Sequence, residues 1–278
     1  MPSLDLEAEY NNRQRVPEHG QHAARWQAAS AAFRQVARAD LDQPYGPNER
    51  HRYDLFRAAD AKAPLAVYIH GGYWQRGDRK DYSFVAQALN AARIDVALPS
   101  YSLCPAVSVM DIVAELRLCL AAIWKQTQKR PVVTGHSAGG HLTAAMVASD
   151  WSKVAGVPAD LVRAGVAISG VFDLAPLIPT SINDLVHLDE RSARAASPLL
   201  WPPPPKGRAL VAAVGGNESS EFLRQSREIA QSWARAGLRT ECLVVPGTDH
   251  FTVVDELTKP SSALFDRVAT LARQVSMG

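Results

Sequence analysis

The sequence predicts a mostly parallel α/β sheet with helices on both faces, and three observations carry that prediction. Apolar runs of strand length alternate with helix-length amphipathic stretches, as they do when parallel strands are joined by crossover helices. The strand-length runs are continuously apolar rather than alternating, which is how strands buried on both faces read. One of these runs, Pro131 to Thr134, passes through the glycine-flanked turn Gly135-His136-Ser137-Ala138-Gly139 directly into a helix-like stretch.

Taken in order, the first 50 residues are polar and Ala-rich, with a helical stretch near 22–37, and read as an N-terminal extension packed on the sheet or over a site. Strands are expected at 65–70, 94–99, 131–134, 164–169, 209–214 and 241–245. Between them, 107–128 places Ile112, Val113, Leu116, Leu120 and Ile123 at helical spacing, and 222–236 does the same with Phe222, Ile229 and Trp233. A last helix is expected at about 261–274, with Leu264, Val268 and Leu271 on one face. The segment 174–208 breaks the alternation. It ends in Pro202-Pro-Pro-Pro205 and reads either as a small lid-like insertion over the strand ends or as a plain connector. At 278 residues the chain is expected to form a single domain, 1–278, with one large core.

Composition narrows the function classes. Hydrophobic residues make up 47% and charged residues 21%, ordinary usage for a globular protein. Thirty Lys and Arg against 28 Asp and Glu leave a formal charge of +2, too small a bias to suggest nucleic acid or an anionic membrane as partner. A small-molecule substrate fits better, and a homodimer is compatible with the sequence. The first residues have neither a basic nor an apolar leader region, and no apolar run reaches the roughly 20 residues of a membrane helix, so a cytoplasmic location is expected. Cys104, Cys119 and Cys242 are odd in number and set among apolar residues, as buried free thiols are. No cluster has zinc spacing, and neither metal nor cofactor is expected.

The residues from 135 to 139 match the G-x-S-x-G pattern in which a serine stands on a strained strand-to-helix turn, and the small neighbours let the backbone pass closely. Ser137 is the candidate nucleophile. Two strands earlier, a strand runs into His70-Gly71-Gly72-Tyr73-Trp74. A backbone amide approaches a developing oxyanion only where no Cβ intervenes, so the amides around Gly71, Gly72 and Tyr73, with that of Ala138 after the serine, are the candidate oxyanion hole. Each such donor is worth on the order of 3 kcal/mol in the transition state.

A serine hydroxyl needs a base, and in the order serine, acid, histidine the base follows the last strand. His250, in Pro246-Gly-Thr-Asp-His250-Phe, meets that requirement, whereas His187 lies in the Pro-rich excursion. His70, His136 and His141 adjoin the motifs and read as pocket-shaping or hydrogen-bonding residues. For the acid, Glu218 follows the strand 209–214 and ranks first, with Asp173 after the strand 164–169 second. Glu221 lies where a helix begins and suits a first-turn carboxylate; Asp249 adjoins His250 but an adjacent side chain usually points elsewhere.

With HGGYW, GHSAGG, GNE and DHF in this order, the chain resembles the kynurenine formamidase (arylformamidase) branch of the α/β-hydrolase superfamily. The likeness extends from Tyr10-Asn-Asn-Arg13 through Gly170-Val-Phe-Asp-Leu174 and Ser197-Pro198 to the segment ending EFLRQS at Ser226. The Trp after HGG-Tyr is its more distinctive mark. The resemblance implies an α/β-hydrolase fold and hydrolysis of an N-formyl arylamine, such as N-formylkynurenine, to amine and formate. It implies Ser137 as nucleophile, His250 as base, Glu218 as the acid where relatives often carry Asp, and oxyanion donors near Gly72, Tyr73 and Ala138. Tyr73, Trp74 and Tyr101 then either offer aromatic surface to an aryl substrate or pack beneath the lid. Two other readings stay open: a carboxylesterase or amidase on other small acyl groups, and a non-catalytic hydrolase scaffold.

Overall fold

The computed structural model describes residues 4–277; Met1 to Ser3 and Gly278, the ends of the expected domain 1–278, lie outside the described residues. Eight strands form one sheet: β1 (Ala39–Pro44), β2 (Arg52–Phe56), β3 (Leu65–Ile69), β4 (Asp95–Pro99), β5 (Pro131–His136), β6 (Ala164–Ile168), β7 (Ala209–Gly215) and β8 (Arg239–Val245). Their spatial order is β1-β2-β4-β3-β5-β6-β7-β8. The pairs β1/β2 and β2/β4 are antiparallel, and every pair from β4/β3 to β7/β8 is parallel. This is the α/β-hydrolase fold, mostly parallel as the apolar runs predict.

The period of two in β3 feeds two cores. Leu65, Val67 and Ile69 join one apolar cluster, while Ala66 and Tyr68 join the other, and all five side chains are buried. The first core is closed by α5 (Val109–Thr127), α6 (Ala138–Ala148) and α9 (Ser220–Arg235). The second is closed by α3 (His19–Val36), α4 (Val85–Ala91) and α11 (Ala263–Met277). A capping box at Ser108 and Asp111 starts α5, satisfying N–H groups that have no intrahelical partner.

Two strands have no counterpart in the sequence reading. β1 reads Ala-Asp-Leu-Asp-Gln-Pro, and its register shifts between Asp40 and Gln43, where Asp42 takes a left-handed φ of 55°. Edge strands tolerate polar residues and bulges, so such a segment carries no apolar run. β2 buries Asp54 fully, but as part of ion pairs with Arg34 and Arg79 rather than as a solvated loop residue. The expected N-terminal extension therefore divides: 39–44 belongs to the sheet, α3 packs on it through Phe33 against Phe56, α1 (Leu6–Tyr10) packs on α9 through Tyr10 against Phe222, and α2 (Asn12–Arg15) borders the loop after β3.

The segment 174–208 carries the short helices α7 (Asn183–Val186) and α8 (Glu190–Ala195). Glu7 accepts hydrogen bonds from the Ser181 hydroxyl at 2.6 Å and its N–H at 2.8 Å, tying this segment to α1. Cys104 and Cys119 are buried free thiols, but Cys242 is only half-buried because β8 is an edge strand. Among the described residues no helix is long and apolar enough to cross a membrane.

The strand order reverses between β3 and β5, since β4 lies on the far side of β3 while β6, β7 and β8 follow β5 outward. Loops leaving adjacent strands on either side of such a switch diverge and open a crevice at the strand ends. The loop after β3 and the turn after β5 face each other there.

Candidate active site

Ser137 sits between β5 and α6 with φ 58° and ψ −118°, a conformation that L residues adopt only where the surroundings enforce it. The enforcement comes from packing. A Cβ on Gly135 would stand 2.5 Å from the Gly139 carbonyl oxygen and 2.6 Å from that of Ile69, and a Cβ on Gly139 would strike the Ile69 carbonyl oxygen outright. The spacing of the two glycines is thus a condition for α6 to cross β3 closely. The Ser137 N–H donates to the Ile168 carbonyl at 2.8 Å, locking the turn to β6.

Gly71 lies against this turn: a Cβ there would stand 2.7 Å from the His136 carbonyl oxygen and 3.1 Å from Ser137 Cβ. Beyond it Gly72, Tyr73 and Trp74 all have positive φ, at 112°, 50° and 58°. Two successive non-glycine residues in that region store of order 1–3 kcal/mol each, held here by the burial of Trp74 and by the Tyr73 hydroxyl, which donates to the Tyr10 carbonyl at 2.5 Å. The N–H groups of Gly72, Tyr73 and Ala138 have no hydrogen-bond partner among the described residues. Ala138 is also the first residue of α6, where the helix dipole favours negative charge.

After β8 the chain turns through Asp249 to His250, whose Nδ1 lies 2.7 Å from Glu218 Oε2. Both side chains are buried, Glu218 completely. The other carboxylate oxygen of Glu218 accepts from the Ser169 hydroxyl at 2.5 Å and the Gly215 N–H at 2.7 Å. A carboxylate so placed makes Nδ1 the protonated nitrogen of His250 and leaves the Nε2 lone pair as its base. The ring is wedged between Phe222 at 4.7 Å and His136 at 4.6 Å, so its orientation is set by packing as well. Ser137 and His250 line one cavity of about 260 Å³ and make no direct hydrogen bond to each other among the described residues. Such bonds are often long in unliganded sites and tighten when substrate is bound.

The rival acids are occupied elsewhere. Asp173 accepts from the Ala175 N–H at 3.1 Å, capping its own turn. Glu221 accepts from the Tyr10 hydroxyl at 2.7 Å and pairs with Arg224. Asp249 accepts from the N–H groups of Phe251 and Thr252 and so caps the short helix that follows. His187 contacts the Asp184 carbonyl on the surface.

Of the three histidines beside the motifs, only His136 lines the cavity. Its Nε2–H donates to the His250 carbonyl at 2.7 Å, and burial, then the neighbouring His250, keeps it neutral by pushing its pKa well below the ordinary value. His70 stacks on Tyr101 at 4.3 Å and donates to the Gly71 carbonyl. His141 donates to the Ala196 carbonyl and meets Trp74 edge-on at 5.0 Å. Burial holds both below the usual histidine range, His141 at about 4.

The aromatic surface differs from the one expected. Tyr73 lines the cavity, but Trp74 and Tyr101 are fully buried and do not. Trp74 is turned inward by its left-handed backbone, and the Tyr101 hydroxyl donates to the His70 carbonyl at 2.9 Å. Both pack beneath the oxyanion loop. Instead Trp26, Tyr82 and Phe251 supply the aromatic wall, with Asn12, Arg13 and Arg76 as polar partners. Only Ser181 and Ile182 of the 174–208 segment reach the cavity, so its cover comes mainly from the N-terminal helices. Sequence reasoning also passed over Ser169, although its place at the end of β6, facing the next loop, is the available signal. Arg13 lay inside the quoted YNNR motif without an assigned role.

Comparison with known proteins agrees with the fold. A family model described as the alpha/beta hydrolase fold matches residues 66–254. The kynurenine formamidase of Salmo salar is 29% identical over 245 residues, covering 85% of this chain and 83% of that protein. The kynurenine formamidase of Danio rerio is 28% identical over 244 residues with the same coverage. A crystal structure of a candidate thioesterase from Silicibacter sp. TM1040 superposes with a TM-score of 0.86 at 32% identity, covering 96% of this chain and all of that one.

Proposed function

The chain belongs to the α/β hydrolase fold family and is a hydrolase, and from that premise we propose that it removes the formyl group from N-formyl arylamines of the N-formylkynurenine kind, using Ser137, His250 and Glu218. The observation that carries the reading is the Glu218–His250 contact of 2.7 Å beside a serine held at positive φ. The likeness to two kynurenine formamidases over 85% of the chain supports the formamide.

In this reading the formyl carbonyl lies with its oxygen toward the unpaired N–H groups of Gly72, Tyr73 and Ala138. Nε2 of His250 takes the Ser137 proton as Oγ bonds to the formyl carbon, and the carbonyl π electrons move to the oxygen, where the three amides stabilise the charge. Glu218 stabilises the imidazolium without itself taking the proton. When the tetrahedral species collapses, the C–N bond breaks and His250 gives its proton to the departing aniline nitrogen. Water, deprotonated by the same Nε2, then attacks the formyl-serine; the bond from the formyl carbon to Oγ breaks, His250 returns the proton to Ser137 and formate leaves.

A second reading, hydrolysis of small acyl esters or thioesters by the same groups, draws on the 32% identical relative named as a candidate thioesterase. Measuring kcat/KM for N-formylkynurenine beside p-nitrophenyl acetate and an acyl thioester separates the two. The formamidase reading expects the formamide to lead; an ester or thioester rate higher by several orders of magnitude overturns it. Ser137→Ala is expected to lower turnover of whichever substrate is cleaved by about 10⁴ or more. Unchanged turnover in that variant would remove Ser137 from the chemistry.

A further inference from the structure

Arg13 and Arg76 line the cavity that holds Ser137 and His250, and among the described residues no Asp or Glu lines it with them. Arg76 is half-buried and Arg13 exposed, and other arginines that the fold encloses have acceptors. Arg79 pairs with Asp54 and Asp42, Arg34 with Asp54, and Arg208 donates to the Val147 and Ser149 carbonyls. Arg13 and Arg76 have no carboxylate partner among the described residues, and the one side-chain bond of Arg76 goes to the neighbouring Gln75 at 3.3 Å. Burial, and then the charge of Arg13, make the Arg76 guanidinium easier to deprotonate than usual. Arg76 thus feels the like charge of Arg13, a repulsion that a bound anion would relieve.

Their placement is built into the site. Arg76 ends the loop that carries the oxyanion donors, and a Cβ on Gly72 would stand 2.8 Å from Arg76 Cγ, so this glycine makes room for the side chain. Arg13 is carried by α2 next to buried Asn12, whose side chain donates to the Tyr73 hydroxyl at 3.5 Å. The backbone that carries the two arginines is therefore tied to the oxyanion loop. Across the cavity stand the aromatic rings of Trp26, Tyr82 and Phe251.

We propose that Arg13 and Arg76 clamp a carboxylate on the leaving-group side of the substrate, so that the enzyme selects aryl formamides bearing an anionic side chain over neutral ones of the same shape. This rests on the formamidase reading for the scissile bond, but the anion site itself does not. Planar guanidinium groups match a carboxylate in bidentate geometry, and the aromatic wall receives the aryl body.

The test compares an ortho-formamidoaryl keto acid with its uncharged primary carboxamide. The expected wild-type preference for the acid is about tenfold to a hundredfold in kcat/KM, the range for charge-assisted hydrogen bonds, expressed mainly in KM. In the Arg13→Gln/Arg76→Gln protein that ratio should fall toward one, and Arg76→Lys should recover part of it. The corresponding free amines, acid and carboxamide, are measured in parallel as competitive inhibitors of p-nitrophenyl acetate hydrolysis. If neither formamide is cleaved, the formamidase reading fails, while tighter inhibition by the acid still upholds the clamp. Should the double variant fold poorly, the wild-type preference must shrink as ionic strength rises. Equal handling of acid and carboxamide by the wild type, or an undiminished preference in the folded double variant, overturns the proposal.

Discussion

Replacing Glu218 by Gln changes no more than one oxygen for an NH₂, yet the surroundings dictate where that NH₂ must go. One carboxylate oxygen accepts from the Ser169 hydroxyl at 2.5 Å and from the Gly215 N–H at 2.7 Å. The backbone N–H is a donor only, so the amide oxygen of Gln is pinned at that position. The NH₂ is then left facing His250 Nδ1, where the carboxylate stands at 2.7 Å. To accept from it, His250 must adopt the tautomer with its proton on Nε2, the nitrogen that has to receive the Ser137 proton. Loss of the correct tautomer with intact geometry costs about 10⁴ in kcat, or about 5 kcal/mol of transition-state stabilisation. The assay is kcat on the preferred acyl substrate at neutral pH, with a melting curve to show that the variant is folded. Asp173→Asn is the control, because its carboxylate caps the Ala175 N–H and makes no contact with His250; its kcat should stay within about twofold of wild type. A folded Glu218→Gln protein within tenfold of wild type, or a larger loss in Asp173→Asn, would refute the assignment of the acid.

Two further outcomes concern the frame of the site. Gly139→Ala places a methyl group on the Ile69 carbonyl oxygen, which is backbone of a central strand and cannot swing aside; a loss of about 1–3 kcal/mol or more is expected, read as a melting temperature lower by about 3 °C or more, and an unshifted melting curve would contradict it. Burial holds His141 at about 4 against 6.5 unperturbed. Below pH 6.5 the unfolded chain therefore takes up a proton that the fold refuses, and stability complete above that pH is lost progressively down to about 4. The contribution is about 3 kcal/mol. His141→Gln keeps a donor for the Ala196 carbonyl but does not titrate, so its melting temperature should fall less than that of wild type between pH 7 and 5, and equal slopes would count against the argument.

Much of this site was legible in the sequence because catalysis by a serine constrains residues that are neighbours along the chain. Glycines two positions either side of Ser137, the HGG turn after β3 and a histidine after the last strand are local demands, visible as short motifs between apolar runs. The parallel sheet was equally legible, since strands such as β3 are buried on both faces and keep an unbroken apolar run. The polar edge was not. β1 and β2 carry Asp40, Asp42 and Asp54, and Asp54 becomes a buried strand residue only through Arg34 and Arg79, which come from distant segments.

By itself, then, the sequence determined the fold class, the order of the strands' chemistry and the candidates Ser137, Glu218 and His250. Tertiary structure decided what depends on groups far apart in the chain. It brought Glu218 and not Asp173 to His250, sent Trp74 and Tyr101 into the core, and lined the cavity with α2 and α3 more than with the 174–208 segment. It also left Arg13 and Arg76, 63 positions apart, facing one cavity without an acid between them. Local motifs record backbone constraints on adjacent residues; burial and charge pairing are settled by whichever distant side chains arrive, and only the folded chain fixes that.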